Sequence, residues 1–293
     1  MGMITFDSQL TDGTIEDAVE VYSDYSTDGS VYMVATEGIA AKNMADQMWF
    51  KIYAKLSDGS YVYTTVNYYS AVRYATSILN RTSSSSYSKA LVVAMLNYGA
   101  EAQLYFGHNT DNLANAGLTD AQKALNAAYD ESMVDAVVTP TTSKAANFVY
   151  TASAFTNRYP SVSFDGAFSI NFYFAARQAP DNGMTFYYWD QETYDSVSAL
   201  TKDNATETTD MTMAGTNSYY GVVDSIAAKE MDETVFVAGV YEVDGVEYTT
   251  GIIAYSLGKY CETIAAKDTS DQQAFAQATA VYGYYAKEYF ANL

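Results

Sequence analysis

Residues 184–191 read "MTFYYWDQ", setting Tyr187 and Trp189 beside Asp190 and Gln191. Flat aromatic rings next to carboxylate and amide groups suit one chemistry above others. The rings stack on the apolar C–H faces of a pyranose, and the polar neighbours take its hydroxyls. Tyr and Trp also lose little rotamer entropy when a ligand arrives. The chain holds 29 tyrosines but one histidine, His108, and one cysteine, Cys261. That inventory excludes intrachain disulfides, Cys/His zinc sites and Ser-His-Asp chemistry away from His108.

Which rings point outward is predicted from strand alternation. Trp49 and Tyr53 share a face with Gln47 and Lys51, opposite Met48, Phe50 and Ile52. Tyr61 and Tyr63 share one with Thr65 and Asn67. Tyr187 and Trp189 align with Thr185, while Met184, Phe186 and Tyr188 take the other side. Tyr173 accompanies Ser169 and Asn171. These seven aromatics, with Asp190, Gln191, Lys51 and Asn171, form the expected carbohydrate platform. Burial of the same faces under helices is the structural alternative. Tyr219 and Tyr220 are expected in the core. Tyr98, Tyr105, Phe106, Tyr282, Tyr285, Tyr289 and Phe290, at helical spacing, are expected to pack between helices.

The elements holding these residues occur twice. "IAAKNM" at 39–44 returns as "IAAKEM" at 226–231, and Asp58-Gly59 as Asp244-Gly245. Tyr69-Ser70, Tyr98-Gly99 and Tyr105-Phe106 return as Tyr255-Ser256, Tyr282-Gly283 and Tyr289-Phe290. The separation drifts only from 187 to 184 positions, which points to a duplicated domain and not a solenoid. Within each copy, strand periodicity gives way to helical periodicity. Ala71, Tyr74, Ala75, Ile78 and Leu79 mark one helix, and a second runs on to Gly107 as its left-handed cap. The predicted fold is α+β: two tandem pseudo-repeats, bilobed, each a small antiparallel β-sandwich followed by packed helices. The first lobe spans 1–118 and the second 148–293. Between them, 119–147 carries a helix capped by Thr119 and a Thr/Pro-rich linker. With so few residues ahead of its repeat, the first copy has either a smaller sandwich or strands borrowed from its neighbour. Cys261 stands where the first copy has Ala75, so it is expected to be small and buried.

Apolar residues make up 49 % of the chain and prolines number 3, so it folds. A formal charge of −20 repels phosphate backbones and anionic membranes, which removes nucleic acid as a partner. No run of about 18 apolar residues spans a bilayer, so membrane insertion is not expected. No signal peptide is read in the opening residues, and Met1-Gly2 reads as an added start from which an export signal could have been trimmed away. The acidic stretches "HNTDNLAN" and "YSDYSTDGS" lack the closing Glu of an EF-hand, so no metal or other cofactor is expected. Asn80 and Asn204 fit the glycosylation pattern without a role in a bacterial protein.

The stretches "ALVVAMLNYGAEAQLYFGHNTDNLANAGLTDAQKAL" (90–125) and "GIAAKNMADQMWFKIYAKLSDGSY" (38–61) resemble a module of large secreted proteins of gut clostridia, often found beside dockerins. The layout also resembles the starch adherence system proteins of the amylosome. That resemblance implies a doubled unit with a bilobed groove for α-1,4-glucan, a secreted or cell-surface location, and assembly into a larger complex through other regions. The family often has Tyr where this chain has His108, which lowers the prospect of a role for that histidine. Three functions follow in order. First is non-catalytic binding of a starch-type glucan, where two weak sites gain avidity on a polymer. Second is a structural or adhesion scaffold without a sugar ligand. Third is a glycoside hydrolase, which needs two carboxylates about 5–10 Å apart around a cleft. Glu37 is the acid nearest to an apolar strand.

Overall fold

The computed structural model describes residues 1–27, 29, 31–34, 39–164, 166–267 and 270–293; Glu37 lies outside them. The fold is α+β, every strand pairing among the described residues is antiparallel, and the chain divides into two compact units, Met1–Asn126 and Ala127–Leu293.

The first unit contains β1 (Gly2–Phe6), β2 (Glu20–Tyr22), β3 (Ser26–Thr27), β4 (Tyr32–Met33), β5 (Met48–Lys55), β6 (Tyr61–Tyr63) and β7 (Asn67–Tyr69). Helices α1 (Ala71–Asn80), α2 (Ser86–Phe106) and the single turn α3 (Asp120–Lys123) follow. One sheet runs β2-β1-β5-β6, with β7 also on β5, and β3–β4 form a separate ribbon. Among the described residues, then, the five-stranded sheet is accompanied only by this two-stranded ribbon, and a full sandwich like the expected one is not formed here.

In the second unit, β8 (Phe155–Ser163), β9 (Phe168–Ala176) and β10 (Thr185–Trp189) lead into α4 (Gln191–Ser196). Then come β11 (Glu207–Asp210), β12 (Thr212–Gly215), β13 (Ser218–Ile226), β14 (Val235–Val243), β15 (Val246–Thr249) and β16 (Ile253–Tyr255). Helices α5 (Leu257–Ala265) and α6 (Ser270–Ala291) close the chain. Two sheets, β11-β10-β14-β15 with β16 and β12-β13-β9-β8, enclose Ile170, Phe172, Phe174, Phe186, Val237 and Tyr241. Residues 127–147, the later part of the expected helix-and-linker segment 119–147, make hydrogen bonds within this unit. Ala127 N–H donates to the Tyr285 hydroxyl at 2.8 Å, and Val138 N–H to Thr234 Oγ1 at 2.9 Å.

The doubled words have concrete contacts. Ser70 and Ser256 cap α1 and α5, accepting from the N–H of Arg73 at 3.1 Å and Lys259 at 3.0 Å. Met44 and Met231, each closing a 3-10 turn, press on α2 and α6 at Gly99 and Gly283. A Cβ at either glycine would sit 2.8 or 2.9 Å from the methionine sulfur. Lys42 and Lys229 each hold their ammonium 5.4 Å from a ring, Phe106 and Phe290 respectively. Those two phenylalanines, expected between helices, are exposed. Both lie on the final turn of a long helix, past the packed stretch. The Asp-Gly pairs differ in shape. Asp244 and Gly245 both have positive φ in a two-residue hairpin, whereas of Asp58 and Gly59 only the glycine does, within a longer loop. Among the described residues no helix is long and apolar enough to cross a membrane.

Candidate functional site

Alternation correctly separates the faces of β5 but not which one is covered. Residues Gly2, Ile4 and Phe6 of β1 pair with Tyr53, Lys51 and Trp49, placing all six on one face. The segment 7–19 folds over that face. Lys51 is 5 % exposed, and its ammonium donates to the carbonyls of Gly13 at 2.9 Å and Thr11 at 2.5 Å. Ile15 N–H donates to the Tyr63 hydroxyl at 3.2 Å. Tyr53 is 7 % exposed in a cluster with Ile4 and Phe6, and Trp49 and Tyr63 pack against it. Trp49 also lies 5.1 Å from the ring of Tyr68. Lys51, Tyr53, Trp49 and Tyr63 thus build a small core instead of a platform. A buried ammonium persists because two carbonyls replace its water. Tyr61 alone of this group is exposed, with the Lys55 ammonium 5.7 Å from its ring.

In the second unit both faces of the β10–β14 sheet are covered, one by the other sheet and one by segments 138–148 and 194–205. Trp189, expected outward, is 0 % exposed. Its ring meets Phe148 edge-on at 5.0 Å, and its Nε1 donates to Asn204 Oδ1 at 3.0 Å. Tyr187 is half-buried between Trp189, Phe148 and the Lys202 ammonium. Asp190 accepts from Thr193 N–H at 2.7 Å as the cap of α4. Gln191 accepts from Thr234 N–H at 3.2 Å and donates to Asp195 at 3.1 Å. Both hydroxyl-binding candidates are thus committed to local structure.

Tyr173 and Asn171 fare differently. They lie on the outward face of the β12-β13-β9-β8 sheet, whose other face is the packed core. Cross-strand pairing aligns Tyr159, Tyr173 and Tyr220 in one row, with Ser161, Asn171 and Val222 in the next. Tyr159 and Tyr173 stack at 5.1 Å and 13°, Tyr173 and Tyr220 at 5.5 Å and 30°. Their facing sides cover one another, so the outer face of Tyr159, the ring edges and the hydroxyls remain for a ligand. Tyr159, on the edge strand β8, is 48 % exposed. Asn157 and Ser218 border the row on its far side. Sequence reasoning missed Tyr159 and Tyr220. The alternation Asn157, Tyr159, Ser161 carried the signal for the first. For the second, Tyr219 is core as expected while Tyr220 points out, as period two demands.

The acids gather elsewhere. Asp190, Asp224, Glu230 and Glu233 line a pocket of ≈ 180 Å³ beside Tyr188. Burial, then Glu230, pushes the Glu233 carboxyl above its ordinary range, and burial followed by Asp190 raises the Tyr188 phenol. Among the described residues no group of three His, Cys, Asp or Glu could hold a metal ion.

No family model matches this chain, and no curated protein matches it. Among solved structures, the crystal structure of the Br derivative BhCBM56 aligns over 37 % of this chain and 98 % of its own. The identity is 16 % and the TM-score 0.25. A likeness at that level decides neither fold nor function.

Proposed function

We propose that this chain binds polysaccharide without cleaving it, through the tyrosine ladder of its second unit. The observation behind this reading is the row Tyr159–Tyr173–Tyr220, half-open on a sheet whose opposite face already holds the core. Phenol hydroxyls and the neighbouring Ser161 and Asn171 offer donors and acceptors to sugar hydroxyls, and Tyr159 offers a ring face. A starch-type α-1,4-glucan is the first ligand to test, a preference resting on the resemblance to starch adherence proteins. Secretion or surface display, and assembly into a larger complex, belong to the same proposal. Affinity of one such strip is about micromolar to millimolar.

Affinity electrophoresis tests it. The protein should be retarded in gels containing amylopectin and not in gels containing a cellulose derivative or mannan. Losing one ring costs about 1 kcal/mol, roughly fivefold in affinity, so Tyr159→Ala with Tyr173→Ala should abolish retardation. Equal migration in every gel defeats the sugar reading and favours a scaffold in which the ladder merely stabilises the sheet by cross-strand pairing. The acidic pocket gives hydrolysis a place, since a carboxyl lifted by burial suits a general acid. Overnight incubation with amylose is expected to release no reducing ends.

A further inference from the structure

The β5 strand of the first unit and the β14 strand of the second are paired in the same register. Met48 faces Tyr69 as Val235 faces Tyr255, and Phe50 faces Asn67 as Val237 faces Ile253. In the second unit the face carrying Val235, Val237 and Tyr241 is sealed beneath a second sheet. Its counterpart in the first unit carries Met48, Phe50 and Ile52. These side chains, with Met3, Met33 and Tyr69, line an open trough of ≈ 460 Å³. A surface of core composition therefore meets solvent. Met33 is 60 % and Tyr69 38 % exposed.

Size and charge restrict what covers it. The exposed area of the face is roughly 500 Å², summed over partly exposed Met and Tyr side chains of ordinary size. That equals the largest patch on an ordinary monomer and falls short of the roughly 800 Å² per partner of a stable protein interface. A chain of net charge −20 also repels its own copy. The trough volume suits a small ligand, and unbranched methionines adapt to a flexible apolar one. At one end a second cavity of ≈ 300 Å³ shares Phe50 and Tyr69 with the trough and adds Asn67, Arg73 and Ser77. Among the described residues lining the two cavities, Arg73 is the one cationic side chain and none carries a carboxylate. Its guanidinium rests 4.5 Å from the Tyr68 ring centroid. Its Nη1 donates to the Tyr68 carbonyl at 2.5 Å and to Asn67 Oδ1 at 3.4 Å, which holds the head of the side chain at strand β7, in the cavity that adjoins the trough.

We propose that this trough binds a single-chain anionic amphiphile, its apolar tail over Met48, Phe50 and Ile52 and its carboxylate at Arg73. The site is in the other unit from the tyrosine ladder and needs no sugar, so the two proposals fail separately. Calorimetric titration of the full chain with octanoate, decanoate and dodecanoate, below their micellar concentrations, tests it. One equivalent should bind, tightening about fourfold for each methylene buried, or about fifteenfold for two carbons. Arg73→Gln should weaken dodecanoate roughly tenfold while leaving dodecanol unchanged. Met33→Glu, at an exposed ribbon position that tolerates change, should weaken dodecanoate at least tenfold with an unaltered melting temperature. Affinity independent of tail length, undiminished binding by either variant, or equal binding of dodecyltrimethylammonium overturns the proposal. So does dimerisation at the trough, detected by light scattering and abolished by Met33→Glu.

Discussion

Trp189 separates a core role from a ligand role, and Trp189→Phe is the perturbation that does so. The indole is fully buried among Phe148, Leu200 and Phe236, and its Nε1 donates to Asn204 Oδ1. Phenylalanine leaves part of the indole volume empty, which costs about 1–2 kcal/mol. It also takes the indole donor from Asn204, for about 1 kcal/mol more. Asn204 Oδ1 keeps a bond from Thr201 N–H at 2.9 Å, which holds that second loss down. The sum, about 2–3 kcal/mol, corresponds to a fall in Tm of roughly 5–10 °C for a unit of this size. Calorimetry on wild type and variant reads the melting shift, and amylopectin affinity electrophoresis reads the site. The variant should melt lower and migrate in the gel as wild type does. A variant of unchanged Tm that no longer interacts with glycan would refute the assignment of Trp189 to the core.

Gly283→Ala would press a methyl onto the Met231 sulfur 2.9 Å away; urea unfolding should show a loss of about 1–3 kcal/mol, and Met231→Ala in the same chain should recover part of it. Asp232 is raised to about 6, first by burial and then by Asp135, against the pull of Lys287. An acid raised in the folded state penalises folding once ionised, so this penalty is absent below about pH 4 and complete above about pH 6. After discounting for partial exposure, Asp232→Asn should gain about 1–2 kcal/mol at pH 7 and nothing at pH 3.5, read from paired denaturation curves. An equal gain at both pH values would show that ionisation is not the cause. Burial pushes the Cys261 thiol up, so iodoacetamide at pH 8 should leave it intact in the native chain and label it in guanidinium; mass spectrometry distinguishes the two.

Much of the local structure was legible in the residues alone. Alternation in Met48–Lys55 and Phe168–Ala176 marks strands because period two is a property of the extended backbone. Ser70, Ser85 and Gly107 mark helix ends, because a hydroxyl can satisfy an orphan N–H and glycine accepts a φ of 64°. The doubled words were visible as words, and the contacts of Met44 with Gly99 and Lys42 with Phe106 give two of them physical content. Tertiary structure decided which face of each sheet meets water. Trp49, Lys51 and Trp189 look like surface residues by their neighbours, yet segments distant in sequence close over them and supply the bonds that make burial tolerable. Conversely, Phe50 and Ile52 read as core and line an open trough. Tyr159, Tyr173 and Tyr220 lie on three strands joined by connections of different length, so only pairing register could bring them into one row. Periodicity is written into each segment by itself. Coverage and register belong to pairs of segments, and no single stretch of sequence holds them.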